Sequence, residues 1–494
     1  MKQTQPHLQR KHARGHAVLL LLAWTIPGCS DVADEYLYGP GVSGPIALVG
    51  TRIIELDSGV VSASTDILIE DGLITDIRPT GSSAIPAEFH QFDADGAYVI
   101  PGLWDMHTHI RNDEEFETFI PLLIAHGVLG LRDVGGFYPD EFEERLSQLP
   151  HAPKVFAFAA VDQMLGSNAG TPEEARERVA YLAERGVDFI KVQSDIPSDS
   201  FFATLDEAKT RGVEVVGHTP IGVSVTDASN AGLGTMEHLL EVFVETSTQA
   251  DKIRANRVAF SIRDDVPLGV SILEQGYPDL QPMFDTWSEE REQELFDTLI
   301  SNRTWQVPTL VLFRVWSKMH LPEFWDDLAL EYVPASWRKT WTPETHKWYS
   351  LMPLDDPELV PGRIRANSDA QIAITGRMHA AGVPILAGTD ASQWNFLVPG
   401  QSLHEELEMF VQAGMTPLES LRTATISPIE YLGLVDQAGA VDIGKQANLV
   451  LLNENPLEDI RNARNIKVVV LEGALLDREY LDALLRDVHR RSNP

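Results

Sequence analysis

Between residues 99 and 439, short apolar and β-branched runs alternate with amphipathic helical patterns, and the alternation recurs eight times. Strand, helix and strand in succession mark a parallel sheet, because a parallel pair needs a crossover long enough to return to the starting edge. The strand-like runs span 99–107, 128–134, 155–161, 188–193, 213–218, 234–238, 306–313 and 383–390. Helical patterns lie between most of them. One begins at Thr171 and Pro172, a helix N-cap followed by a first-turn proline. Eight such units predict an α/β fold of the closed (β/α)8 TIM-barrel type.

Outside that stretch the style changes. Residues 46–50, 52–56, 67–74 and 75–78 are short β-type runs separated by Asp-Gly and Ser-Gly turns, and 447–452 and 466–473 return to the same style. Neither end carries enough strands for a sheet domain of its own. Residues 44–98 and 440–485 are therefore expected to combine in one small β-sandwich domain beside a barrel of 99–439. An insertion, 313–370, separates the seventh and eighth runs and holds Trp316, Trp325, Trp337, Trp341 and Trp348. Long loops above a barrel mouth serve as lids or binding walls. A helical subdomain packing its own core accounts for the tryptophans equally well.

At the N-terminus, Lys2, Arg10, Lys11 and Arg14 precede an apolar run, 17–26, that is too short to span a bilayer. The following Ile26-Pro-Gly-Cys resembles a bacterial lipobox, in which Pro27 is an unusual residue. Cys29 is the only cysteine, so no internal disulfide is available. Residues 1–28 are expected to be a lipoprotein-type signal peptide and 29–43 a tether. The protein would then be exported and lipid-anchored at Cys29 to the bacterial envelope. Ser30, by resemblance to Gram-negative lipoproteins, favours the outer membrane. A plain secretory signal and an uncleaved anchor are the alternatives. A formal net charge of -34 argues against nucleic acid or an anionic membrane surface as partners; solubility is reason enough for it.

In a barrel of this kind the chemistry gathers at the carboxyl ends of the strands. His107 and His109 close the first run. Residues i and i+2 of a strand share a face, so both imidazoles aim at one spot and make half of a zinc-type site. Lys191 ends the fourth run, His218 the fifth, His238 the sixth and Asp390 the eighth. Asp105 shares a face with His107 and Asp133 lies near the end of the second run; each is placed to orient a ligand histidine. Glu237, next to His238, is expected to point away from the site. Arg314 is a candidate partner for a substrate carboxylate. His126, His320, His346, His379, His404 and His489 fall in helical or loop patterns and read as structural or surface residues.

Several of these pieces together resemble the amidohydrolase superfamily of metal-dependent hydrolases. They are Pro101-Gly-Leu-Trp-Asp-Met-His-Thr-His, Phe189-Ile-Lys-Val, Val216-Gly-His-Thr-Pro, Thr235-Met-Glu-His and Ala387-Gly-Thr-Asp, with the tail Ile443-Gly-Lys-Gln-Ala-Asn-Leu-Val-Leu-Leu. The resemblance covers about residues 44–480 and is greatest to the imidazolonepropionase-like and Xaa-Pro dipeptidase-like group. Asn448 stands where Asp is more usual in the family. The resemblance implies two divalent metal ions, zinc by type. His107, His109 and Asp390 would hold one, His218 and His238 the other, and Lys191, carboxylated by carbon dioxide to a carbamate, would bridge them. It further implies cleavage of a carbon–nitrogen amide or peptide bond in a small substrate, a dipeptide or N-acyl amino acid, by a metal-held hydroxide with Asp390 as general acid/base. Hydrolysis of a cyclic amide or lactone is an alternative. A one-metal deaminase has no need of Lys191. A lipoprotein that binds metal or ligand without catalysis is the reading from another class.

Overall fold

The computed structural model describes residues 41–149, 154–160, 168–261, 280–342, 344–346, 350 and 362–494. The expected signal peptide, most of the tether with Cys29, and Trp348 lie outside the described residues. No helix among the described residues is long and apolar enough to cross a membrane.

The first five strands are β1 (Ile46–Ile53), β2 (Thr65–Glu70), β3 (Leu73–Pro79), β4 (His90–Asp93) and β5 (Tyr98–Pro101). Near the other end come β13 (Leu449–Leu452), β14 (Ile466–Leu471) and β15 (Ala474–Leu476). They form one ladder in the order β15-β14-β13-β5-β1-β2-β3, with β4 also paired to β1. The two chain ends therefore meet in a single β unit, but its hydrogen bonds run continuously through β1. The register of β1 slips between Leu48 and Thr51. Its first half pairs β2 and β4, and Arg52 and Ile53 pair β5. Ile46, Leu48, Ile67, Ile69, Val99, Leu449, Leu451, Val468 and Val470 share one buried apolar core. Alternation along each strand sends these residues to the same side.

The intervening strands are β6 (Leu103–Thr108), β7 (Val128–Gly136), β8 (Lys154–Ala160), β9 (Phe189–Val192), β10 (Glu214–Gly217), β11 (Thr235–Glu237) and β12 (Trp305–Val307). All their pairings are parallel, in two arcs, β6-β7-β8 and β12-β11-β10-β9. The eighth run, expected over 383–390, is extended but makes only isolated bridges, Gln306 to Ile385 and Thr108 to Ala391. Leu386 N donates to Gln306 O at 2.9 Å, and Met106 N to Ala387 O at 2.9 Å, so this run lies between β12 and β6. Asp390, with φ of 62°, leaves the β region and ends any ladder there.

Helices cover the strands, and local signals start them where expected. Thr171 and Glu174 form a reciprocal capping box on the helix Pro172–Glu184. The Asn112 side chain caps Asp113–Ala125, directly after the His107–His109 segment. The expected seventh strand is shorter than its apolar run. Thr309 adopts φ of 50° and turns the chain, and Leu310–Trp316 is a helix. Its first-turn N–H groups, which have no partner within the helix, are met from a distance: the Glu406 carboxylate accepts from Leu310 N at 3.0 Å and Val311 N at 2.7 Å.

Within the insertion, Trp316, Trp337 and Trp341 are buried, while Trp325 is 37% exposed. The buried ones brace the body. Trp337 Nε1 donates to Glu114 Oε2 at 2.7 Å, and Trp341 Nε1 to Gln393 O at 2.7 Å. His346 Nε2 donates to Trp394 O at 2.7 Å. Two of these three bonds hold the loop just after Asp390.

Candidate metal centre

The six residues expected at strand ends all stand at the carboxyl ends of the parallel strands or just beyond, and all are buried except His218, which is partly exposed. His107 lies in β6 with His109 one residue past it, Lys191 in β9, His218 after β10, His238 after β11 and Asp390 in the eighth run. Asp390 gathers the imidazoles. Its Oδ1 is 3.0 Å from His109 Nε2 and 3.4 Å from His107 Nε2, and its Oδ2 is 3.9 Å from His238 Nε2. The His107 and His238 rings are 4.9 Å apart, as are those of His218 and His238.

Each histidine uses Nδ1 on the protein and leaves Nε2 inward. His107 Nδ1 lies 2.6 Å from Glu237 Oε2, and His218 Nδ1 2.8 Å from Ser194 Oγ. His238 Nδ1 lies 2.7 Å from Thr309 Oγ1, and His109 Nδ1 3.4 Å from Gly135 O. The Thr309 hydroxyl already donates to Pro308 O, so toward His238 it accepts. A carboxylate, a carbonyl and a committed hydroxyl all demand a proton on Nδ1, which places the lone pair on Nε2. Burial lowers the pKa of His109 and His238 to about 3 and takes His218 well below its ordinary value, keeping these rings neutral. Burial alone would raise Asp390, but His107 and His109 hold it well below the usual carboxylate range.

This donor set fits a divalent cation. One ligand atom from each of His107, His238 and Asp390 falls within 4.8 Å of the others. Two buried atoms here have no hydrogen-bond partner, His107 Nε2 and Lys191 Nζ. An orphaned ammonium is a costly thing to bury. Burial lowers Lys191 to about 8, against the pull of Glu237 and Asp390. Its stem runs past Gly217, where a Cβ would meet Lys191 Cδ at 2.9 Å and where φ is 128°. A similar close approach occurs at Gly388. A Cβ there would lie 2.8 Å from His107 Cβ and 2.6 Å from Val307 Cγ1. Gly388→Ala is therefore expected to cost about 1–3 kcal/mol by overpacking. A lower Tm would be seen by calorimetry.

Three expectations need correction. Glu237 does not point away. Its side chain is fully buried and faces His107: it shares a face with Thr235 by alternation, and the pattern breaks only at His238 (φ 69°). Asp133 orients no imidazole; its carboxylate accepts from Gly135 N at 3.0 Å and Ile110 N at 3.3 Å, and so holds backbone on either side of the site. Arg314 turns to Gln412 and Asp369 on neighbouring helices. Asp105 acts on backbone as well: its Oδ1 accepts from His107 N and Thr389 N, each at 3.1 Å, and its Oδ2 from Thr389 Oγ1 at 2.7 Å. It thereby ties the first strand end to the eighth. Among the other histidines, His126, His346 and His404 bond backbone carbonyls, and His379 and His489 pair with Glu419 and Glu331. The orienting groups Glu237, Ser194 and Thr309 escaped the sequence reading. Only the Glu-His adjacency at 237–238 could have flagged one of them.

Residues 352–476 match the amidohydrolase family model. The ochratoxinase of Aspergillus niger is 33% identical over 109 residues, 22% of this chain and 22% of that protein. The chain thus aligns with about a fifth of that curated relative's length. Among solved structures, a Xaa-Pro dipeptidase with bound methionine superposes with a TM-score of 0.60 at 19% identity, covering 88% of this chain and 100% of the other. Bottromycin amidohydrolase superposes at 0.64 with 22% identity, covering 93% and 92%. These likenesses establish a shared barrel fold. The chain thus matches the amidohydrolase family over residues 352–476 and shares its fold with these solved structures over most of its length.

Proposed function

We propose that this protein is a binuclear metal-dependent hydrolase of amide or peptide bonds in small substrates. The observation that carries the reading is the set of inward Nε2 atoms around Asp390, beside an orphaned Lys191 amine. His107, His109 and Asp390 would hold one divalent ion and His218 and His238 a second, with zinc suited to imidazole and carboxylate donors. Lys191 would join them as a carbamate: the neutral amine nitrogen bonds to carbon dioxide and its proton leaves to water. When bound, the ions supply an activated water at near-neutral pH and polarise the scissile carbonyl.

The chain's own groups do the rest. The fixed Nδ1 protons hold the imidazoles in register. Asp390 Oδ2, the oxygen toward His238, takes the proton released on attack and returns it to the leaving nitrogen. The relatives named as a dipeptidase and an amidohydrolase support a dipeptide or N-acyl amino acid as substrate. The same ends would be served on an exported, Cys29-anchored protein acting on material in the envelope. Metal analysis of the purified protein with a panel of dipeptides, N-acyl amino acids, cyclic amides and lactones tests the proposal. Two metals per chain and turnover of an open-chain amide are expected. Turnover confined to cyclic substrates would move the assignment to that class. Tight binding without turnover would leave a metal-binding lipoprotein.

Lys191 brings a pH dependence. The ammonium lacks the lone pair that bonds carbon dioxide, so the reactive fraction falls about tenfold per unit below a pKa of about 8. Reconstitution of the stripped protein with zinc and bicarbonate is expected to run faster above that pH than below it, followed as regained metal content over time. A rate indifferent to bicarbonate at every pH would contradict the carbamate.

A further inference from the structure

Arg132 has no part in the reading above, yet it is fully buried inside the barrel. A buried arginine survives only where its charge and donors are met. Here they are. Nε donates to Met106 O at 2.6 Å, Nη1 to Thr235 Oγ1 at 3.1 Å and to the Tyr431 hydroxyl at 3.5 Å, and Nη2 to Glu237 Oε1 at 2.8 Å. Its Cζ lies 5.6 Å from the ring centres of both Phe189 and Tyr431. The Thr235 hydroxyl, having accepted from Arg132, donates to the same Glu237 Oε1 at 2.6 Å. Tyr431 passes its own proton outward, to Glu214 Oε2 at 2.7 Å. Arg132 and Thr235 both donate to Glu237 Oε1, so one oxygen of Glu237 is claimed twice and the other is left for His107 Nδ1.

We infer that Arg132 and Thr235 are positioning residues that orient the Glu237 carboxylate, and through it fix His107 with its proton on Nδ1 and its lone pair on Nε2. The consequence for metal binding rests on the proposed function; the tautomer itself does not. The arrangement makes a specific forecast for the isosteric amide. In Glu237→Gln, the single carbonyl oxygen is drawn to the two donors, Arg132 and Thr235. The amide NH2 then faces His107 Nδ1, which must become the acceptor, and the ring proton moves to Nε2. A further change, Arg132→Met, frees the amide to turn its oxygen back to His107.

The test uses the full chain in three forms: unchanged, Glu237→Gln, and Arg132→Met/Glu237→Gln. In the metal-free protein, nitrogen-15 NMR of the histidine rings reads which His107 nitrogen carries the proton. Zinc affinity is measured separately by competition with a chelator. The expected results are a tautomer switch and a loss of zinc affinity of about ten- to a hundredfold in Glu237→Gln, with the Nδ1-protonated signature and part of the affinity regained in the double variant. An unswitched tautomer in Glu237→Gln, or no recovery in a folded double variant, overturns the inference. If the unchanged protein takes up no zinc, the proposed function fails, and the NMR result still decides this point.

Discussion

Replacing Asp390 by asparagine is expected to lower kcat/KM on the best dipeptide or N-acyl substrate by at least about a thousandfold, within the range that a lost general acid/base spans. The amide cannot take up the proton released by attacking water, and it is a weaker metal donor than a carboxylate. The fold should survive the change. Asp390 sits at φ of 62°, where asparagine is among the best-tolerated residues, and its backbone oxygen keeps the bond from Asn395 Nδ2 at 2.7 Å. Stopped or steady-state assays beside a thermal melt separate the two effects. Activity within about tenfold of the unchanged protein, at normal stability, would remove Asp390 from the proton path.

Lys191→Ala is the second large effect. If Lys191 bridges two ions as proposed, its removal should leave one tightly held metal per chain in place of two, and should cut turnover by at least about a hundredfold. The substitution opens space in the barrel, but it also removes a buried amine with no hydrogen-bond partner, so the cost of the cavity is partly offset. Metal content by mass spectrometry, read against protein concentration, gives the outcome directly. Two metals retained at full activity would show that the bridge lies elsewhere.

Much of the site could be read from residue spacing because barrel strands expose their carboxyl ends to one mouth. The His-x-His spacing, the lysine after Phe189-Ile190 and the aspartate after Gly388-Thr389 each sit where a strand stops. What escaped depends on backbone that leaves the regular pattern. Glu237 shares the inner face with Thr235 by ordinary alternation, and the φ of 69° at His238 breaks that alternation, so two adjacent residues both serve the site. The run 310–313 is apolar enough for a strand, and a short apolar run has no period to decide between strand and helix. Glu406 decides it, from far along the chain, by capping the helix N-terminus. Ser194 and Thr309 are single hydroxyls that carry no signal until the fold sets them against an imidazole. The ladder through β1 is similar: a register slip at Leu48 lets one strand serve two neighbours in turn, and nothing in its composition announces that.

The most direct measurement is anomalous diffraction at the zinc edge on crystals grown with zinc and bicarbonate. Two peaks about 3.5–4 Å apart are expected, one beside His107, His109 and Asp390 and one beside His218 and His238, with density for a carbamate on Lys191 between them. A map with no peak among these residues, or with zinc bound only at other sites, would contradict the account.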